Sequence, residues 1–134
     1  MENIWPCGAR PHVMVFDSAQ LMRDLMGELL QEARCHVTVS TFLPGSFDQI
    51  TGLQPALLLI DLAMHEQVGW ELLERLALDA LTCRIPVLVT STDRRLLERA
   101  EREHARYGGQ GWVVKPFELE ALLDEVRRLT SGRV

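Results

Sequence analysis

The sequence predicts an α/β domain, a doubly wound parallel sheet of five strands flanked by five helices. Three observations carry this. Short apolar runs alternate along the chain with segments whose apolar residues recur at helical spacing. One run, PALLLID at 55–61, is apolar without a break from Leu57 to Ile60 and too brief for a helix. That pattern belongs to a strand covered by helices on both faces. Finally, four runs end on a polar residue, namely Asp17, Asp61, Ser91 and Lys115. Open parallel sheets form their ligand crevices at such carboxyl ends.

The chain has 134 residues, enough for one hydrophobic core. Residues 1–11, with Pro6, Gly8 and Pro11, read as an irregular lead-in on which Trp5 is free to dock; the domain itself spans 12–131. A formal charge of −5 argues against direct nucleic-acid binding, which needs a basic surface. Cys7, Cys35 and Cys83 are odd in number and lack metal-site spacing, so they read as reduced thiols of a cytoplasmic protein. No apolar run is long enough to span a membrane, and the first residues do not resemble a targeting signal.

In chain order, HVMVF at 12–16 is the first strand. Ser18 is placed to cap the helix that follows, whose Leu21, Met22, Leu25, Met26, Leu29 and Leu30 make a broad apolar face ending near Arg34. HVTVS at 36–40 alternates and is β-branched, which suits an edge strand. Pro44-Gly45 marks a turn, and Ser46 is a candidate cap for a short helix reaching Ile50. After the organising strand, a loop leads to a helix over 70–78, with Glu71 and Arg75 spaced for an ion pair. IPVLVT at 85–90 is the fourth strand, a charged helix covers 93–107 and closes at Gly108-Gly109, and GWVV at 111–114 is the fifth strand. Leu119, Leu122, Leu123, Val126 and Leu129 form one stripe of the last helix.

The pieces VMVFDSAQLMR (13–23), LLLIDLAM (57–64), IPVLVTST (85–92) and GWVVKPF (111–117), in this order and spacing, resemble the receiver domains of two-component response regulators over nearly the whole chain. The resemblance implies a flavodoxin-like fold with strand order 2-1-3-4-5. It matches Asp61 to the phosphoacceptor, Lys115 to the lysine that pairs with the phosphoryl group, and Ser91 to the hydroxyl that binds a phosphoryl oxygen. Asp17 matches the first residue of the acidic pair near a magnesium ion, and Ala63 the position whose carbonyl ligates it. Trp112 matches an aromatic switch position, and Lys115-Pro116 a bond usually cis in the family. Implied partners are a histidine kinase or phosphotransfer protein and, through the fourth helix, fifth strand and last helix, a second copy of the chain. The domain is then a participant in its own phosphotransfer, not a turnover enzyme. Chemically the set is coherent, because phosphoryl transfer to a carboxylate needs metal, ammonium and hydroxyl groups around the developing charge.

Several positions depart from the family pattern. Ser18 stands where a second acid is usual; it is read as a helix cap, and magnesium is expected to bind weakly. The loop after Asp61 carries His65 and Val68, with His65 read as a solvent-exposed loop residue. Thr92 occupies a position where the family prefers a small side chain, and should narrow access to Asp61. Arg34 replaces a glycine, which predicts a non-glycine residue in the left-handed region. The alternating arginines and glutamates of 94–106 read as a solvated face, compatible with salt-bridged self-association. Three functions follow for comparison: a phosphorylated receiver, a pseudo-receiver that signals as an interaction module without phosphorylation, and a flavodoxin-like enzyme. The last is disfavoured because FDSAQL after the first strand is not a glycine-rich phosphate loop. The sequence closes at Val134, just past the last helix, and no output domain is expected within it.

Overall fold

Phe16 ends β1 (His12–Phe16) and packs its ring 6.0 Å from that of Phe42, so the first strand is anchored at the end where its chemistry lies. The computed structural model describes residues 10–63 and 66–131. Trp5, Cys7 and His65, on which sequence expectations were placed, lie outside them. The elements after β1 are α1 (Gln20–Glu32), β2 (His36–Ser40), α2 (Ser46–Leu53), β3 (Leu57–Asp61), α3 (Val68–Leu78) and β4 (Val87–Ser91). The chain closes with α4 (Arg94–Arg102), α5 (His104–Tyr107), β5 (Gly111–Val114) and α6 (Leu119–Thr130). All five strands pair in parallel, in the order β2-β1-β3-β4-β5, with β2 at one edge as its alternating sequence predicts.

Strand side chains alternate between faces, and the two cores follow from that. Val13, Val15, Leu57, Leu59 and Leu88 meet Met26 and Leu30 of α1 and the Leu122–Val126 stripe of α6. Met14, Phe16, Leu58, Ile60, Val87 and Val89 meet α2, α3, α4 and α5 on the other side. β3 is buried at every position, which explains its uninterrupted apolar run.

Several local expectations change. The charged segment 93–107 is two helices, making six among the described residues: Glu103 (φ −103°, ψ 30°) ends α4 and begins α5. Tyr107 docks edge-on against Trp70 of α3 with centroids 4.7 Å apart, and Arg99 lies 4.5 Å over the same indole while bonding Glu103. That docking holds α5 against α3. In α1 the buried stripe is narrower than its apolar pattern. Met26 and Leu30 are buried, whereas Leu21 is 79% exposed and Leu25 42%, because α6 occupies the rest of that sheet face. Ser46 begins α2 instead of capping it, and its hydroxyl accepts the Leu43 amide at 2.9 Å. Arg75 turns from Glu71 to stack 3.9 Å over the Phe47 ring. Arg34 does take a positive φ, 70°, as does Gln54 at 46°. Gly108 and Gly109, with φ 70° and 92°, close the helical segment before β5. The Lys115-Pro116 bond is cis.

Candidate functional site

At the carboxyl ends of β1 and β3 two buried carboxylates meet a lysine from the end of β5, with a buried hydroxyl of β4 beside one of them. Lys115 Nζ lies 2.7 Å from Asp17 Oδ2 and 2.7 Å from Asp61 Oδ1, with all three side chains at most 11% exposed. An ion triad of this kind costs more to break than its formation contributes, since each charge has lost its water. Two carboxylates against one ammonium leave the cluster net negative. Burial pushes the Asp61 carboxyl above its usual range; Lys115 opposes this, Asp17 adds to it, and a hydrogen bond from Thr90 opposes it again.

The strands place these groups directly. Asp61 is the last residue of β3, and its register partner on β4 is Thr90. Leu59, two residues before Asp61, and Leu88, two before Thr90, both face α1 and α6. The two polar side chains therefore share that face, and Thr90 Oγ1 donates to Asp61 Oδ1 at 2.9 Å. Thr90, fully buried, was not singled out by the sequence reading. The signal was present: it is the residue beside Ser91 in the strand, so alternation sends one of the pair to the Asp61 face and the other away.

Ser91 is the one sent away. Its hydroxyl donates to the Leu62 carbonyl at 2.7 Å and accepts the Asp93 amide at 3.0 Å. It is not in contact with Asp61 in this conformation. Trp112 pairs in register with Val89 and so faces the α4 side, half-buried. Its indole Nε1 is buried and is without a hydrogen-bond partner among the described residues, and its ring lies against Gly109. Thr92 is exposed, directly after Ser91 at the rim.

Ser18 does not cap α1. The N-cap is Ala19, which makes no side-chain cap bond, and Ser18 is exposed. Asp17, two residues ahead of the N-cap, makes the local contact: its Oδ1 accepts the Ala19 amide at 2.9 Å, while its carbonyl accepts Arg23 at 2.8 Å. The donor set thus offers two carboxylates, with Asp61 Oδ2 carrying no hydrogen bond among the described residues, and the carbonyl of the adjoining Ala63, which accepts Glu66 N at 3.2 Å. Among the described residues no cluster of three acidic, histidine or cysteine side chains exists. Hard oxygen donors of this kind fit magnesium, which commonly binds through one or two carboxylates and keeps several waters.

The fold, with this acid–lysine cluster at its strand ends, defines a doubly wound, flavodoxin-like α/β domain. A family model described as the response regulator receiver domain matches residues 13–127. The chain belongs to that family and is a receiver domain of two-component signal transduction. Among curated proteins it is similar to the DNA-binding dual master transcriptional regulator RpaA of Synechocystis, at 27% identity over 125 residues. That match covers 89% of this chain and 48% of RpaA, so the chain spans about half the length of the relative. Among solved structures it resembles the chemotaxis protein CheY4 of Vibrio cholerae, with a TM-score of 0.79, 22% identity, and coverage of 90% of this chain and 99% of that one. A response regulator structure from Chloroflexus aurantiacus gives a TM-score of 0.81 at 19% identity, covering 92% of this chain and 99% of that one. Among the described residues no helix is long and apolar enough to cross a membrane.

Proposed function

We propose that this receiver accepts a phosphoryl group on Asp61 from a histidine kinase or phosphotransfer protein, in the cytoplasm. The observation that carries this is the burial of Asp61 at the end of β3 with Lys115 Nζ 2.7 Å from its Oδ1. An oxygen of Asp61 attacks the phosphorus, the bond from phosphorus to the donor's imidazole nitrogen breaks, and that nitrogen keeps the electron pair. Lys115 sits where it can neutralise the incoming phosphoryl oxygens. Magnesium, when held by Asp17, Asp61 and the Ala63 carbonyl, would supply further charge neutralisation, weakened by the neutral Ser18. Ser91 takes part by exchanging its bond to the Leu62 carbonyl for a phosphoryl oxygen. Trp112, on the same face of the sheet, then reports the change to the surface formed by α4, β5 and α6, where a partner or second copy docks. The domain turns over no separate substrate.

A second reading, the pseudo-receiver, is favoured by one feature: the Ser91 hydroxyl already satisfies both Leu62 and Asp93. Incubation with acetyl phosphate and magnesium, read by intact mass, separates the two. The wild type is expected to gain one phosphoryl group and Asp61→Asn none. Equal labelling of Asp61→Asn refutes the assignment of Asp61, and no labelling of the wild type establishes the pseudo-receiver.

A further inference from the structure

We infer that Thr90 is a positioning residue for the acceptor, holding Asp61 Oδ1 so that Oδ2 is the attacking oxygen and so that the phosphorylated state is short-lived. The inference rests on Asp61 being the phosphoacceptor. Oδ1 receives two donors, Thr90 Oγ1 at 2.9 Å and Lys115 Nζ at 2.7 Å, whereas Oδ2 has no hydrogen bond among the described residues. Rotation of the carboxylate would break both contacts, and Thr90 is fully buried in a strand whose neighbours are also buried. The hydroxyl, together with the Lys115 ammonium, therefore distinguishes the two oxygens.

The consequence for lifetime follows from charge. Attack through Oδ2 forms the oxygen–phosphorus bond and converts Oδ1 into the carbonyl oxygen of a neutral acyl phosphate linkage. A hydrogen bond to a carboxylate is about twice as strong as one to a neutral acceptor, so Thr90 stabilises the free carboxylate more than the acyl phosphate. Hydrolysis runs the other way. Water attacks phosphorus, the bond from Oδ2 to phosphorus breaks, and Asp61 leaves with the electron pair as a carboxylate; inorganic phosphate takes the water oxygen. The charge that develops on the departing carboxylate is what the Thr90 hydroxyl binds best. Lys115, drawn to the phosphoryl dianion, is a weaker competitor for Oδ1 in that state, and the Thr90 hydroxyl stays beside it as a donor.

The test compares wild type with Thr90→Val, which keeps the branched shape and strand preference, and Thr90→Ser, which keeps the hydroxyl. After labelling with acetyl phosphate, the phosphorylated Thr90→Val protein should decay roughly three- to tenfold more slowly, the factor expected when a charge-assisted hydrogen bond is lost from a leaving carboxylate. Thr90→Ser should decay within about twofold of wild type, a rescue that a purely structural role would not require. A second readout needs no phosphorylation. The carboxyl carbon resonance of Asp61, observed at neutral pH without metal, should move in Thr90→Val and return in Thr90→Ser. Decay of Thr90→Val at the wild-type rate overturns the inference, as does an unmoved carboxyl resonance. Should the wild type take up no phosphoryl group, the acceptor assignment itself fails and the role of Thr90 in decay falls with it, while the resonance still decides whether Thr90 holds the carboxylate. Should Thr90→Val not fold, Thr90→Ala is held to the same two criteria.

Discussion

Ser91 donates its hydroxyl to the backbone carbonyl of Leu62 at 2.7 Å, and this bond ties the residue after β3 to the last residue of β4. Both residues are at most 1% exposed. The neighbouring Thr90 points to the opposite face and holds Asp61. Two consecutive hydroxyls at one strand end thus serve different partners, one on the acceptor side chain and one on the backbone beside it. A buried carbonyl that loses its donor carries the full cost of desolvation, so Ser91 cannot leave Leu62 without something to replace the bond.

Ser91→Ala is accordingly expected to destabilise the fold by about 1–3 kcal/mol, since it strands the Leu62 carbonyl and removes the acceptor of the Asp93 amide. Urea unfolding checks this. A loss within a few tenths of a kcal/mol would mean that water or a shifted backbone satisfies Leu62 as well as Ser91 does.

Lys115→Met should be costlier. It leaves the Asp17 and Asp61 carboxylates facing each other in a site at most 11% exposed. Removing one partner of a buried ion cluster costs about 3–5 kcal/mol. The deficit should shrink as pH falls, because one carboxyl can then take a proton and relieve the repulsion. Denaturation at neutral and mildly acidic pH measures it, and a deficit independent of pH would show that Lys115 contributes by packing instead of charge.

Asp61 itself makes stability fall as pH rises. Its native pKa lies above the ordinary value, with burial as the main cause. The folded state therefore holds the proton more tightly than the unfolded chain does. The stabilisation from protonated Asp61 is complete below the unfolded value of about 3.9 and is lost as pH climbs through the raised native value. Asp61→Asn has no such proton to lose. Its thermal midpoint should gain on wild type across that window and hold the gain at neutral pH. A midpoint difference that stays constant from pH 3 to pH 7 would contradict the raised value.

Much of this site was legible because strand ends are legible. Asp17, Asp61, Ser91 and Lys115 each stop an apolar run, and in a parallel sheet all such stops share one edge. What the sequence could not deliver was the side to which each polar group turns. Thr90 and Ser91 look interchangeable in IPVLVTST, and only the pairing of Thr90 with Asp61 separates them. The break at Glu103 was hidden for a related reason. Arg99, Glu103 and Arg106 keep helical spacing and no glycine or proline intervenes; the division comes from Tyr107 meeting Trp70, a contact between distant segments. Ser18 was misread as a cap because local preference favours serine there, whereas Asp17, fixed by Lys115, already meets the Ala19 amide.

Ser18 is where the chain can be changed to test its metal affinity. It is exposed, so Ser18→Asp carries little packing cost. A carboxylate there joins Asp17 and Asp61 against a single Lys115. Like charges gathered in one pocket raise the cost of keeping each ionised, so the metal-free variant should melt below wild type. Magnesium reverses the order, since a cation that binds the native state adds RT ln(1 + [Mg]/Kd). That is about 0.4 kcal/mol when the metal equals Kd and about 1.4 kcal/mol at a tenfold excess. At millimolar magnesium the wild type should gain less than about 1 kcal/mol, because it meets the cation with two carboxylates whose oxygens already serve Lys115, Thr90 and Ala19. Ser18→Asp should gain more and take up the phosphoryl group faster. Thermal unfolding of both proteins with and without magnesium gives the comparison. A large rise in the wild-type midpoint that Ser18→Asp leaves unchanged would show that two carboxylates and a carbonyl suffice, and that position 18 does not limit the metal.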